Sequence, residues 1–120
     1  MYWTRMEKAN KLSDKQVELL LLLESGLELV HNEGAGFRCW LEKNNKKIPY
    51  TVRNATANVV MELNLMKLLP VKGYLYRHEL NEEGKLVLDV MDKSKKEKAR
   101  RSLQKAGLDH YLLATTQGGN

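Results

Sequence analysis

The chain has 120 residues, of which 42% are apolar and 29% charged, with a formal net charge of +5. This balance fits one globular domain with an aliphatic core; it excludes a largely disordered chain and argues against an acidic mimic of nucleic acid. The longest apolar run, residues 19–23, is far short of the roughly 20 residues of a membrane span. No secretory signal is visible and the single Cys39 excludes an internal disulfide, so the chain is expected in the cytoplasm without a membrane partner.

Residues 1–12 carry no regular pattern, only Tyr2, Trp3 and Met6 as packing candidates. Ser13 opens a capping box with Gln16, and the leucines that follow predict a helix over residues 14–25 that Gly26 stops in the left-handed conformation. The period then changes. Leu27, Leu29 and His31 alternate, residues 32–36 supply turn chemistry, and Phe37, Cys39 and Leu41 alternate again, which predicts a β-hairpin. Residues 43–47 read as a polar loop, and Pro49 keeps Ile48 extended.

Thr51 is expected to cap a second helix over residues 51–63, ended by Asn64. At 100° per residue Val52, Ala55, Val59 and Leu63 form its apolar stripe, with Arg53, Asn54, Ala57, Asn58 and Met61 opposite. Residues 65–80 then predict a second hairpin with Lys72-Gly73 near its tip and Pro70 at an edge. Asn81 caps a helix over 82–91, and a Ser94-Glu97 capping box opens a basic helix that runs to Gly107, followed by a frayed tail. The expected organisation is a domain over residues 1–91 and a basic helix and tail over 92–120.

The order helix, hairpin, helix, hairpin, helix resembles a winged helix-turn-helix domain, an α+β fold. The resemblance rests on residues 13–91. Asn64-Leu65 resembles the turn after a recognition helix, Lys72-Gly73 the tip of the wing, and Leu80-Asn81-Glu82-Glu83-Gly84-Lys85 the helix start that follows the returning strand. A hairpin stands where that family usually has a short second helix. The resemblance implies a small regulator that binds double-stranded DNA, with helix 51–63 in the major groove.

The residues themselves point to a polyanion as partner. Between residues 91 and 105 seven basic side chains face only Asp92 and Glu97, and residues 43–53 hold no acid. Arg53, Asn54 and Asn58 have the chemistry that reads guanine and adenine edges. Lys43, Lys46, Lys47 and Lys72, with Lys95, Lys96, Arg100 and Arg101 of the basic helix, are candidates for phosphate contacts. A solvated polar surface would carry the same residues. A protein-interaction or inhibitor module on the same scaffold, using Met61, Trp40 and residues 108–113, is the alternative; double-stranded RNA is a weaker third.

No catalytic constellation is expected. His31, His78 and His110 are scattered, Cys39 reads as a buried thiol, and Gly34-Ala35-Gly36 lacks what a phosphate loop needs, so neither enzyme activity, cofactor nor metal is expected. Leu108, Tyr111, Leu112 and Leu113, with Tyr2 and Trp3, either pair two copies as a homodimer or fold back on their own core.

Overall fold

The helix that organises the molecule is the leucine-rich one. In the computed structural model, which describes residues 3–32, 38–70 and 73–112, α2 spans Asp14–Glu24 and is buried continuously from residue 17 to residue 23. Ser13 and Gln16 form the expected capping box at its start, and Gly26 follows its end at φ 93°. A helix buried on every side must be covered on every side. Here α3 (Asn54–Glu62), α4 (Glu82–Val90), α5 (Lys93–Lys105) and strand β5 (Leu75–Leu80) provide the cover.

The remaining elements are α1 (Arg5–Lys11) and strands β1 (Glu28–Asn32), β2 (Cys39–Lys43), β3 (Lys46–Lys47) and β4 (Met66–Leu68), with a short 3-10 turn at Asp109–Tyr111. The fold is therefore α+β, with one antiparallel sheet in the order β3-β2-β1-β5-β4. The two expected hairpins are joined: β1 lies between β2 and β5, with Val30 opposite both Trp40 and Arg77. One face of this sheet carries Leu29 and Leu41 into the core. On the other face Val30 is also fully buried yet stands outside the main cluster. Arg77 there donates to Glu42 at 2.8 Å and to Glu28 at 3.2 Å, and the Trp40 indole N–H donates to Glu42 at 2.7 Å. Three strands are thus tied on their outer face by hydrogen bonds to charged groups, which are the stronger kind.

Several sequence expectations are corrected by the packing. Residues 1–12 contain a helix, α1, opened by a Thr4-Glu7 capping box and held to α4 by Arg5 and Lys8 on Glu83. The polar loop at 43–47 is a tight connection: Asn44 and Asn45 take φ of 52° and 65°, the signature of a primed two-residue turn, and pair β2 with β3. Thr51 does not cap α3. The helix starts at Asn54, and Arg53 takes the N-cap position without a side-chain cap bond. Val52 therefore lies in extended chain and cannot define the helix phase. As a result Ala57 is fully buried with Val60, while Ala55 is exposed. Ser94 likewise sits inside α5, whose N-cap is Asp92.

The basic helix belongs to the same core as the rest. Ala99 and Leu103 are buried in it and pack α5 on α2. After Gly107, Leu108 is also buried, and Tyr111 and Leu112 pack against the cluster. These three apolar groups pack on their own domain, Leu108 wholly and Tyr111 and Leu112 in part; Tyr2 and Leu113 lie outside the described residues, while Trp3 is exposed.

Asn81 joins the end of α3 to the start of α4. Its Oδ1 accepts from the Gly84 amide at 2.7 Å, and its Nδ2 donates to the Asn64 carbonyl at 2.8 Å. Gly84 is buried so tightly that a Cβ would lie 2.5 Å from the Leu65 carbonyl oxygen, a backbone atom, with the Leu80 side chain also in contact. Gly84→Ala is therefore expected to cost roughly 1–3 kcal/mol, the usual range for overpacking. Urea unfolding followed by circular dichroism reads this as a lower midpoint with an unchanged slope.

Candidate nucleic-acid interface

The segment that leads into α3 decides what that helix presents. Ile48 is buried, and the Tyr50 amide donates back to the Ile48 carbonyl at 2.9 Å. The Tyr50 hydroxyl then donates to Glu18 Oε1 at 3.1 Å. Glu18 sits in the middle of the leucine run, buried, and also takes Lys15 Nζ at 3.2 Å. Burial, the Glu18 charge and this hydrogen bond all push the Tyr50 phenol well above its usual range, so it stays a proton donor. A carboxylate placed inside the core has to be satisfied, and the group that satisfies it comes from the chain just ahead of Arg53.

With α3 anchored in this way, Arg53, Asn54, Ala55, Asn58 and Glu62 are all exposed. Of the three predicted base-reading side chains, Asn54 and Asn58 therefore share the solvent face of α3, and Arg53 is exposed at its N-cap. The Cys39 thiol donates to Asn54 Oδ1 at 3.4 Å and approaches the Val52 carbonyl at 3.6 Å. Cys39 is half-buried, and burial pushes its thiol up, so it is a hydrogen-bond donor to the helix start and no thiolate nucleophile.

Two depressions flank residues 50–52. One, about 760 Å³, brings Ser13 and Lys15 of α2 alongside Arg53 and Thr56. The other, about 380 Å³, brings Trp40 and Lys47 to the opposite side of the same segment. Lys47 Nζ stands 5.7 Å over the Trp40 ring, and Lys46 is exposed beside it. Lys15 escapes a sequence reading because nothing local marks it; only the fold sets it beside Arg53. From residue 43 to residue 61 the chain holds no acid, and the neighbouring Glu18 and Glu42 are buried and bonded.

The remaining phosphate candidates divide. Lys95 Nζ donates to the Ala9 and Asn10 carbonyls at 2.8 and 3.3 Å, closing the end of α1. Arg100 pairs with Glu97 at 3.7 Å, and both Arg100 and Lys96 act on half-buried Glu24, whose carboxyl burial nevertheless pushes up. Lys98 pairs with Asp14 at 3.0 Å. Arg101 is exposed, and Lys72 lies outside the described residues.

Two of the three histidines treated as scattered meet: His31 and His78 bring their Nε2 atoms to 2.9 Å. Among the described residues no group of three metal-ligating side chains comes together, and no helix is long and apolar enough to cross a membrane. The Gly34–Gly36 segment lies outside the described residues. No family model matches the sequence, and neither the curated proteins nor the solved structures give a significant match.

Tyr50→Phe removes one hydrogen bond from a buried carboxylate and leaves Glu18 with Lys15 alone. The expected cost is about 1–3 kcal/mol. Thermal or urea unfolding measures it, and Glu18→Gln with Tyr50→Phe is expected to recover part of the loss, since the uncompensated charge is then gone.

Proposed function

We propose that this chain is a small winged-helix protein that binds double-stranded DNA, with the exposed face of α3 in the major groove. The observation that carries the reading is the exposure of Arg53 at the N-cap of α3 and of Asn54 and Asn58 along it, flanked by Lys15, Lys46 and Lys47, in a stretch of chain without an acidic residue from 43 to 61. Arginine donates two parallel hydrogen bonds to guanine, and asparagine both donates to and accepts from adenine. The lysines supply contacts to phosphate that set register and carry no sequence information.

The order of elements supports the same reading. The β4–β5 hairpin follows α3 directly, Asn64 turns the chain at φ 60° between them, and Asn81 caps α4 after the returning strand. The residues named for the protein-interaction alternative are part-buried, and Leu108 wholly so. Trp40 is bonded to Glu42, Met61 packs against the core, and Leu108 is buried.

A titration of random-sequence duplex DNA at two salt concentrations tests the proposal. Affinity is expected to fall steeply with salt, because each phosphate contact releases counterions. Arg53→Ala is expected to cost about 1–3 kcal/mol and to relax preference at one base pair, whereas Lys47→Ala should weaken all sequences alike and flatten the salt slope by about one. No binding to duplex at low salt rejects the function; full affinity in Arg53→Ala removes α3 from the interface.

A further inference from the structure

Trp40 and Tyr111 are far apart in the chain, one on β2 and the other in the 3-10 turn that follows α5. Packing sets them at two neighbouring depressions. One, of about 380 Å³, has Trp40 on its wall, with Lys47 and Pro49. The other, of about 350 Å³, has Tyr111 on its wall, with Lys43, Asn44 and Lys46. Lys47 and Ile48 border both, so the two depressions meet at the end of β3.

Both rings are held in place. Each is half-buried, seated in the domain with part of its surface accessible. The Trp40 indole N–H donates to Glu42 at 2.7 Å, and Glu42 also accepts from Arg77 at 2.8 Å, which fixes the indole plane and pairs the carboxylate beside it. The Tyr111 amide donates to the Leu108 carbonyl at 3.0 Å, and its side chain packs against the core.

The cations between the rings come from one short hairpin. The turn at Asn44 and Asn45 brings Lys43 directly opposite Lys46, with exposed Lys47 next along β3. Like charges placed opposite each other destabilise a strand pair, and an anion lying against both removes that cost. The Lys47 ammonium stands 5.7 Å from the Trp40 ring centre, at the outer limit of a cation–π contact. It can turn to an anion and leave the ring to another planar group.

The chemistry of the ligand follows from this combination. Lysines alone would suit any polyanion, and an acidic peptide among them, but flat rings set between lysines match a polyanion that carries planar groups along its length. A single-stranded nucleic acid is such a chain: each base has an open face, and stacking on an aromatic side chain tolerates any sequence. A duplex keeps those faces covered and offers phosphates and base edges.

We propose that the two depressions at the β2–β3 hairpin bind a single-stranded nucleic acid, with bases stacked on Trp40 and Tyr111 and the phosphates between them on Lys43, Lys46 and Lys47. This site shares Lys46 and Lys47 with the phosphate contacts assigned above, but its bases are bound away from the exposed face of α3. It stands whether or not that helix reads a duplex.

Trp40 fluorescence on the full chain tests the site, with Trp3→Phe as the parent so that Trp40 is the only indole. At low salt a single-stranded oligothymidylate should quench it to saturation. An abasic strand of the same length keeps the phosphates and loses the bases, so it should bind roughly tenfold more weakly. Tyr111→Leu, which leaves an apolar group against the core, should narrow that gap, and Lys47→Ala should weaken both strands. Equal affinity for the two strands, binding without quenching, no binding, an unchanged gap in folded Tyr111→Leu, or full affinity in Lys47→Ala would each overturn the proposal. The contrast between the two strands decides the matter by itself if the Tyr111 variant does not fold. A blunt duplex titrated alongside separates this site from the function proposed above. Duplex bound without thymidylate overturns the single-strand site alone, whereas thymidylate bound with quenching and no duplex bound overturns the duplex reading alone.

Discussion

The fold depends on the burial of residues 17–23 of α2, and in particular on the carboxylate that α2 carries into the core. Seven consecutive residues of this helix are buried, and Glu18 is one of them. An aliphatic replacement there would fill the space, but it would give the residue 48–53 segment nothing to bond to. Glu18 instead fixes Tyr50 by a directional hydrogen bond. That bond makes the entry to α3 specific, where leucine packing alone tolerates sliding and rotation. The orientation of the candidate DNA-reading face is thus set by a polar contact within an otherwise apolar layer.

The sheet shows the same division of labour on its two faces. Leu29 and Leu41 face the core, while Arg77, Glu28, Glu42 and Trp40 fasten the strands on the far side. Arg77 is half-buried and reaches two carboxylates from one nitrogen. β1 pairs with both β2 and β5, and Arg77 reaches across it from β5 to Glu42 on β2.

The basic residues do not form one uniform surface. Lys95 closes the carbonyl end of α1, Lys98 meets Asp14, and Arg100 with Lys96 faces Glu24. Much of the positive charge on α5 thereby serves to attach that helix to α1 and α2. The charge beside α3 is different in kind. Lys46, Lys47 and Arg53 are exposed in a stretch, residues 43–61, that holds no acid, while Lys15 nearby is paired with the buried Glu18.

The parts of this protein legible in the sequence are those decided within a few residues. Ser13 with Gln16, Asn81 ahead of Gly84, and the left-handed stops at Gly26, Asn64 and Gly107 each satisfy or end a helix through neighbouring backbone. The Thr4-Glu7 box belongs to the same class and was readable, though the short helix behind it has little periodicity. The exposure of Arg53, Asn54 and Asn58 was also legible, because a polar stripe must oppose whichever face is buried. The exact phase of α3 was not: Val52 mimics a helical position from extended chain, so Ala55 and Ala57 exchange places. Pairing β1 with β5, setting Lys15 beside Arg53, and joining His31 to His78 across 47 residues were decided by tertiary structure alone. Such contacts form where several elements cover a common core, and no local propensity encodes which of their remaining side chains then meet.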